Sequence, residues 1–299
     1  MNKKDILEQA LTLRRLFKEG DDLRDKGLPT RLTDIERFDN ISYGPDPKWH
    51  LLDIYKPKKA LQYPVPTIIN IHGGGWVYGT KETYQFYCMN LAQKGFAVIN
   101  FNYRLAPGIV FPQELDDVNR AIHWVANHAN HYELDSNNMF IIGDSAGGQM
   151  AMQYLAILTN SNFRKLFHYQ LPQLTIRAAA INCGAAFITI PGSIEGGPQA
   201  YFTDEVLAHQ QDRLQTERYL TTDLPPLFLM TSNQDFIRDC TIRLHGYCLA
   251  KGIQAEFHSY GTADHPKSHV FHCDIRDPIA QQCNQDEIDF FKQYVSPSL

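Results

Sequence analysis

The run Phe140-Ile141-Ile142-Gly143-Asp144-Ser145-Ala146-Gly147-Gly148 restricts the fold more than any other stretch of this chain. An apolar segment stops at Gly-x-Ser-x-Gly, and Gln149-Met150-Ala151-Met152-Gln153-Tyr154-Leu155-Ala156 follows, a good helix former. Strand, sharp turn, helix is the pattern of a nucleophile elbow. Such a turn forces Ser145 into strained backbone geometry and admits only small neighbours, which Gly143 and Gly147 supply. The hydroxyl then stands at the top of a sheet, with a helix N-terminus behind it to favour developing negative charge. Taken alone, the pentapeptide also suits a glycine-rich loop capped by a serine.

The surrounding pattern is that of one large α/β unit. Apolar, β-branched runs at residues 65–71, 96–101, 139–142, 176–181 and 226–230 read as buried strands. A further strand is expected at 255–260, with helices over 114–129, 240–250 and 285–295. Continuous apolar strands alternating with helices mean a mostly parallel sheet covered on both faces. Residues 41–43 and 50–55, separated by Gly44-Pro45-Asp46-Pro47, predict an antiparallel pair at its edge. Residues 1–27 carry helical spacing (Ile6, Leu7, Ala10, Leu13, Leu16, Phe17) and predict an amphipathic arm outside the sheet. Residues 188–222, rich in Gly, Pro, Gln and Asp, read as an insertion with one helix around 204–214, and with the N-terminal arm they could form a lid. Lys56-Pro57-Lys58-Lys59 reads as a solvated basic turn.

Three further elements bear on chemistry. His72-Gly73-Gly74-Gly75-Trp76 follows a buried strand, and its glycines would let bare amides approach a substrate oxygen. Acyl transfer needs such donors, each typically worth ~3 kcal/mol in the transition state. Asp235 lies just past the strand at 226–230, where a carboxylate can orient a histidine; Asp239 and Asp264 are rivals. Among His258, His265, His269 and His272, the first falls inside a strand pattern, and His269 sits on the loop before the last helix. The order Ser145, Asp235, His269 is that of this elbow type. His265, His269, His272 and Cys273 also admit a zinc reading, which Pro266 opposes because it disfavours a shared helix.

These motifs resemble the hormone-sensitive-lipase-like branch of the α/β-hydrolases, most closely its bacterial family IV carboxylesterases. The matching blocks are His72–Trp76, Tyr103-Arg104-Leu105-Ala106-Pro107, Phe111-Pro112-Gln113-Glu114-Leu115-Asp116-Asp117, Gly143–Gly148, Asp235-Phe236-Ile237-Arg238-Asp239 and His269-Val270-Phe271. The likeness runs from about residue 65 to the C-terminus. It implies an eight-stranded twisted sheet in a single domain over residues 1–299, with a helical cap from about 1–40 and 188–222. It also implies a Ser145–His269–Asp235 triad and oxyanion donors on the amides of Gly74, Gly75 and Ala146, supported by His72, Gly73, Gly143, Asp144 and Gly147. Where the family usually has a glutamate after Ala-Pro, this chain has Gly108. No cofactor or metal is implied.

The expected activity is hydrolysis of small, short-chain carboxylic esters through an acyl-enzyme. An aryl-formamidase or amidase would use the same residues. A ligand-binding protein of this architecture is the alternative from another class, although such relatives lack the base histidine that is present here. A net charge of −5 with no basic stripe gives no reason to expect nucleic acid. Without a signal-like N-terminus or a long apolar run, a cytoplasmic protein without membrane association is expected. The six cysteines are then free thiols, and a homodimer stays open. Trp76, Tyr78, Phe187, Tyr201 and Phe202 are candidates for pocket lining or core.

Overall fold

The computed structural model describes residues 2–297. Met1, counted in the expected N-terminal arm, lies outside the described residues, as do Ser298 and Leu299. In chain order the elements are α1 (Lys3–Asp25), β1 (Ile35–Ser42), β2 (Leu51–Pro57), β3 (Val65–Ile71), α2 (Lys81–Gln93), β4 (Ala97–Phe101), α3 (Gln113–His128), β5 (Leu134–Asp144) and α4 (Ala146–Thr159). There follow α5 (Ser161–Phe167), β6 (Ile176–Asn182), α6 (Asp204–His209), α7 (Gln211–Leu214), β7 (Leu227–Ser232), α8 (Arg238–Lys251), β8 (Ala255–Tyr260) and α9 (Pro278–Lys292).

All eight strands form one sheet in the order β1-β2-β4-β3-β5-β6-β7-β8. The β1–β2 and β2–β4 pairs are antiparallel and the others parallel, so the antiparallel pair lies at the edge, as expected. Successive residues feed opposite cores, because strand side chains alternate. Ile69 and Ile141 pack with Leu115, Val118 and Leu155 from α3 and α4. Their neighbours Ile68, Phe140 and Ile142 pack with Tyr87, Leu91, Ile288 and Phe291 from α2 and α9. From β3 the chain moves outward to β4, then returns past β3 to β5. That reversal opens a crevice at the carboxyl ends of β3 and β5, where open α/β sheets bind ligands.

Several local expectations change. Lys56 is not part of a solvated turn: it is 1% exposed on β2, and its ammonium donates to the carbonyls of Tyr132 at 3.1 Å and Glu133 at 3.0 Å. The single helix over 204–214 is two, because Gln210 leaves helical geometry (φ −119°, ψ 26°) and its side chain reaches the carbonyl of Phe111. The last helix starts seven residues earlier than 285, since Asp277 caps the amides of Ile279 and Ala280 and Pro278 occupies the first turn. Strand β5 begins at Leu134, before its apolar run; Asn138 pairs with Asp135 at 2.8 Å and satisfies the polar half. Helix α2 has no counterpart among the expectations; Thr80 and Thr83 form its capping box. No helix among the described residues is long and apolar enough to cross a membrane.

Candidate active site

Ser145 occupies the turn between β5 and α4, with φ 52° and ψ −114°. An L-residue takes such values only under constraint. The constraint is visible: the Ser145 amide donates to the carbonyl of Asn182 at 2.9 Å, and its own carbonyl accepts from Ala185 at 3.0 Å and Gln149 at 3.1 Å. Gly147 is required by packing, since a Cβ there would run into the carbonyl oxygen of Ile71 on β3.

The glycine loop after β3 lies beside the elbow; a Cβ on Gly73 would come within 3.3 Å of the Cβ of Ser145. Gly74 (φ 130°), Gly75 (φ 59°) and Trp76 (φ 61°) turn the chain sharply. The Gly74 carbonyl closes that turn by accepting from Val77 at 3.2 Å and Tyr78 at 3.0 Å. Among the described residues, no acceptor meets the amides of Gly74, Gly75 or Ala146, so all three remain able to donate. Two side chains unread in the sequence hold this loop. The Tyr84 hydroxyl accepts from the Gly73 amide at 3.1 Å, and Trp76 Nε1 donates to Gln149 on α4 at 3.2 Å.

His72 is a packing residue. It is fully buried and stacked on Tyr103 at 4.1 Å, and its Nδ1–H donates to the Gly73 carbonyl at 2.8 Å. Burial pushes its pKa down to about 4, so the ring stays neutral.

Asp235 follows β7 and is the acid that meets a histidine. Its Oδ1 lies 2.6 Å from Nδ1 of His269 and accepts from the Ile237 amide at 3.0 Å; Oδ2 accepts from the Thr231 hydroxyl at 2.9 Å. Burial opposes the charge, but His269 and these donors outweigh it and hold the carboxyl below its ordinary range. With Nδ1–H committed to the carboxylate, neutral His269 has its free lone pair on Nε2. The two loops are zipped together: Gln234 donates to Lys267 at 3.0 Å and the Ser232 hydroxyl to Ser268 at 2.9 Å. Neither rival pairs with His269. Asp239 pairs with Arg243 at 3.1 Å in the first turn of α8, and Asp264 is exposed.

Ser145, His269, Gly74 and Gly75 all line one cavity of about 740 Å³. From α1 come Leu13, Leu16 and Phe17; the segment from Ala185 to Glu195 faces them. Trp76, Tyr78 and Phe187 also line it, whereas Tyr201 and Phe202 are buried core. The four residues of the zinc reading do not converge. His265 is exposed and His269 faces Asp235; His272 and Cys273 instead meet Asp144.

The comparisons agree with this architecture. The BD-FAE family profile matches residues 52–240. Esterase LipI of Mycobacterium tuberculosis is 26% identical over 213 residues, 68% of this chain and 66% of that protein. The versiconal hemiacetal acetate esterase of Dothistroma septosporum is 37% identical over 101 residues, 33% of this chain and 30% of that protein. The chain thus spans no more than two thirds of the length of these curated relatives. A crystal structure of esterase B from Lactobacillus rhamnosis, inhibited by a tributyrin phosphonate, superposes with a TM-score of 0.88 at 23% identity, covering 98% of this chain and 96% of that one. The likeness to hormone-sensitive-lipase-like proteins drawn from the motifs is therefore borne out. The chain has an α/β-hydrolase fold and belongs to the BD-FAE family.

Proposed function

We propose that the protein is a serine carboxylesterase acting on small, short-chain esters. The observation that carries this is the His269–Asp235 pair opening onto the same cavity as a strained Ser145. In this assignment His269 takes the Ser145 proton, and the serine attacks the ester carbonyl. The amides of Gly74, Gly75 and Ala146 receive the oxyanion. His269 then protonates the departing alcohol, and water repeats the sequence to release the acid. Asp235 keeps His269 in the reactive tautomer and offsets its charge. The names of LipI, the versiconal hemiacetal acetate esterase and esterase B point to the same reaction class.

Helix α1 and the segment from Ala185 to Glu195 serve as the cap. Leu13, Leu16, Phe17, Ile188 and Ile190 make the cavity apolar enough for an acyl chain, and crossing it limits chain length. The test is a p-nitrophenyl ester series from acetate to palmitate, with Ser145→Ala alongside. Activity is expected to peak between about two and six acyl carbons, the range the resemblance implies, and to vanish in Ser145→Ala at unchanged melting temperature. A peak at long chains would remove the short-chain assignment; an active Ser145→Ala would remove the mechanism.

A further inference from the structure

Behind the elbow lies a second set of buried polar groups that the proposed chemistry does not use. Asp144, the last residue of β5, is fully buried, and its Oδ2 lies 3.0 Å from Nε2 of His272, which is fully buried too. The His272 ring meets Tyr87 of α2 edge-on at 5.0 Å, and its carbonyl accepts from Asn284 of α9 at 3.0 Å. Cys273 Sγ lies 3.6 Å from the same Asp144 oxygen and 3.8 Å from Nε2 of His272. Glu287 of α9 accepts from Tyr87 at 2.7 Å and from Asn182 at 2.9 Å. Asn182 is the residue whose carbonyl receives the Ser145 amide.

The places of the two partners in the chain give the pair its consequence. Asp144 is bonded directly to Ser145. His272 follows His269 by three residues, in the short turn Phe271–Cys273 that ends the base loop. One contact therefore joins the strand that presents the hydroxyl to the loop that presents the imidazole. Burial opposes a charged ring, yet the adjacent Asp144 raises the pKa of His272 above its ordinary value, and the 3.0 Å contact is a buried hydrogen bond from Nε2–H to the Asp144 carboxyl.

We propose that His272, through its hydrogen bond to Asp144, is a positioning residue that clamps the base loop to the nucleophile elbow and sets the approach of His269 to Ser145. The proposal rests on the triad assignment above. Reactive groups displaced by about 1 Å can lose on the order of 10²-fold in rate. The clamp acts on that displacement without touching substrate. Asp144, His272 and Cys273 also lie close enough to share a cation. The 3.0 Å hydrogen-bonding distance between Asp144 and His272 favours the direct pair.

The experiment compares His272→Leu, His272→Gln, Cys273→Ala and Ile288→Ala well below their melting temperatures. Ile288 is a fully buried α9 residue outside the pair and serves as the stability control. His272→Leu is expected to lose about 10- to 100-fold in kcat with KM within about twofold, and to slow phosphonate labelling of Ser145 in proportion. His272→Gln keeps a donor for Asp144 and should recover part of the loss. Cys273→Ala should stay within about twofold of wild type. Wild-type kcat in folded His272→Leu or, if that variant does not fold, in His272→Phe, which also lacks a donor for Asp144, would overturn the proposal. So would an equal kcat loss in Ile288→Ala at matched stability, or a stoichiometric bound metal ion that Cys273→Ala removes. A wild-type protein inert to the phosphonate would instead overturn the triad assignment, and the clamp with it.

Discussion

Asp235 illustrates how much a single carboxylate is asked to do. It is fully buried, accepts from three partners, and faces the one ring whose tautomer the reaction depends on. Asp235→Asn keeps the shape but would offer an amide to Nδ1, favouring the wrong tautomer. A kcat loss on the order of 10³- to 10⁴-fold is expected, with little change in fold. Steady-state kinetics with a short ester, beside a thermal melt, checks both parts. Gly147 is a packing requirement of another kind. Any side chain there meets the Ile71 carbonyl, so Gly147→Val should prise α4 from β3 and cost at least about 1–3 kcal/mol. Denaturant unfolding measures that loss; wild-type stability would show that the backbone yields where the structure says it cannot. Both residues were legible as motif members. His272 was not, because its partner Asp144 is 128 positions away and the chain carries no mark that the two are joined. Gln149 and Tyr84 escaped for the same reason: one reads as an ordinary helix residue and the other falls in a stretch assigned to no element until the glycine loop is laid beside them.

At the scale of elements, α1 is pinned to the site rather than loosely draped. Arg14 donates to the carbonyls of Val77 and Ala106, both at 2.6 Å; Asp21 accepts from Tyr78 at 2.9 Å; and Arg24 donates to the Thr83 carbonyl at 2.9 Å. All four partners lie on the segment running from the glycine loop to just past β4. The helix face with Leu13, Leu16 and Phe17 is thus held over the cavity by hydrogen bonds at its back. Arg14→Leu should loosen that hold and raise KM for apolar esters several-fold while lowering kcat less, since no reacting group moves. A kcat loss without a KM change would mean that α1 acts on the catalytic loops instead. The amphipathic spacing announced the helix, and its polar side turns out to include its anchors. The insertion was visible too, but its helix was read as continuous because Gln210 gives no local sign of a break.

For the molecule as a whole, the buried charges under the sheet's carboxyl edge link folding to pH. Burial raises Glu287 to about 7, against the combined pull of His272, Asn182 and Tyr87 and with Asp144 adding to the rise. A carboxyl raised in the folded state binds its proton more tightly there than in the unfolded chain. Its contribution to stability is therefore present below the ordinary glutamate value and is lost as pH climbs through about 7. Glu287→Gln mimics the protonated form. It should match wild type near pH 5 and exceed it in melting temperature near pH 8. A difference between the two proteins that does not depend on pH would refute this assignment.

The chain by itself determined the alternation of apolar strands and helices, the elbow, the glycine loop and the order of serine, acid and base. Each is a local pattern: a side-chain period, a run of small residues, or a place just beyond a strand end. Tertiary structure decided which of three acids meets His269, which faces of α1 bind and which shelter, and that a second buried pair joins the elbow to the base loop. Those outcomes depend on distances across the fold. Hydrogen bonds and burial act between whatever the folded chain brings within a few ångströms, however far apart it lies in the sequence.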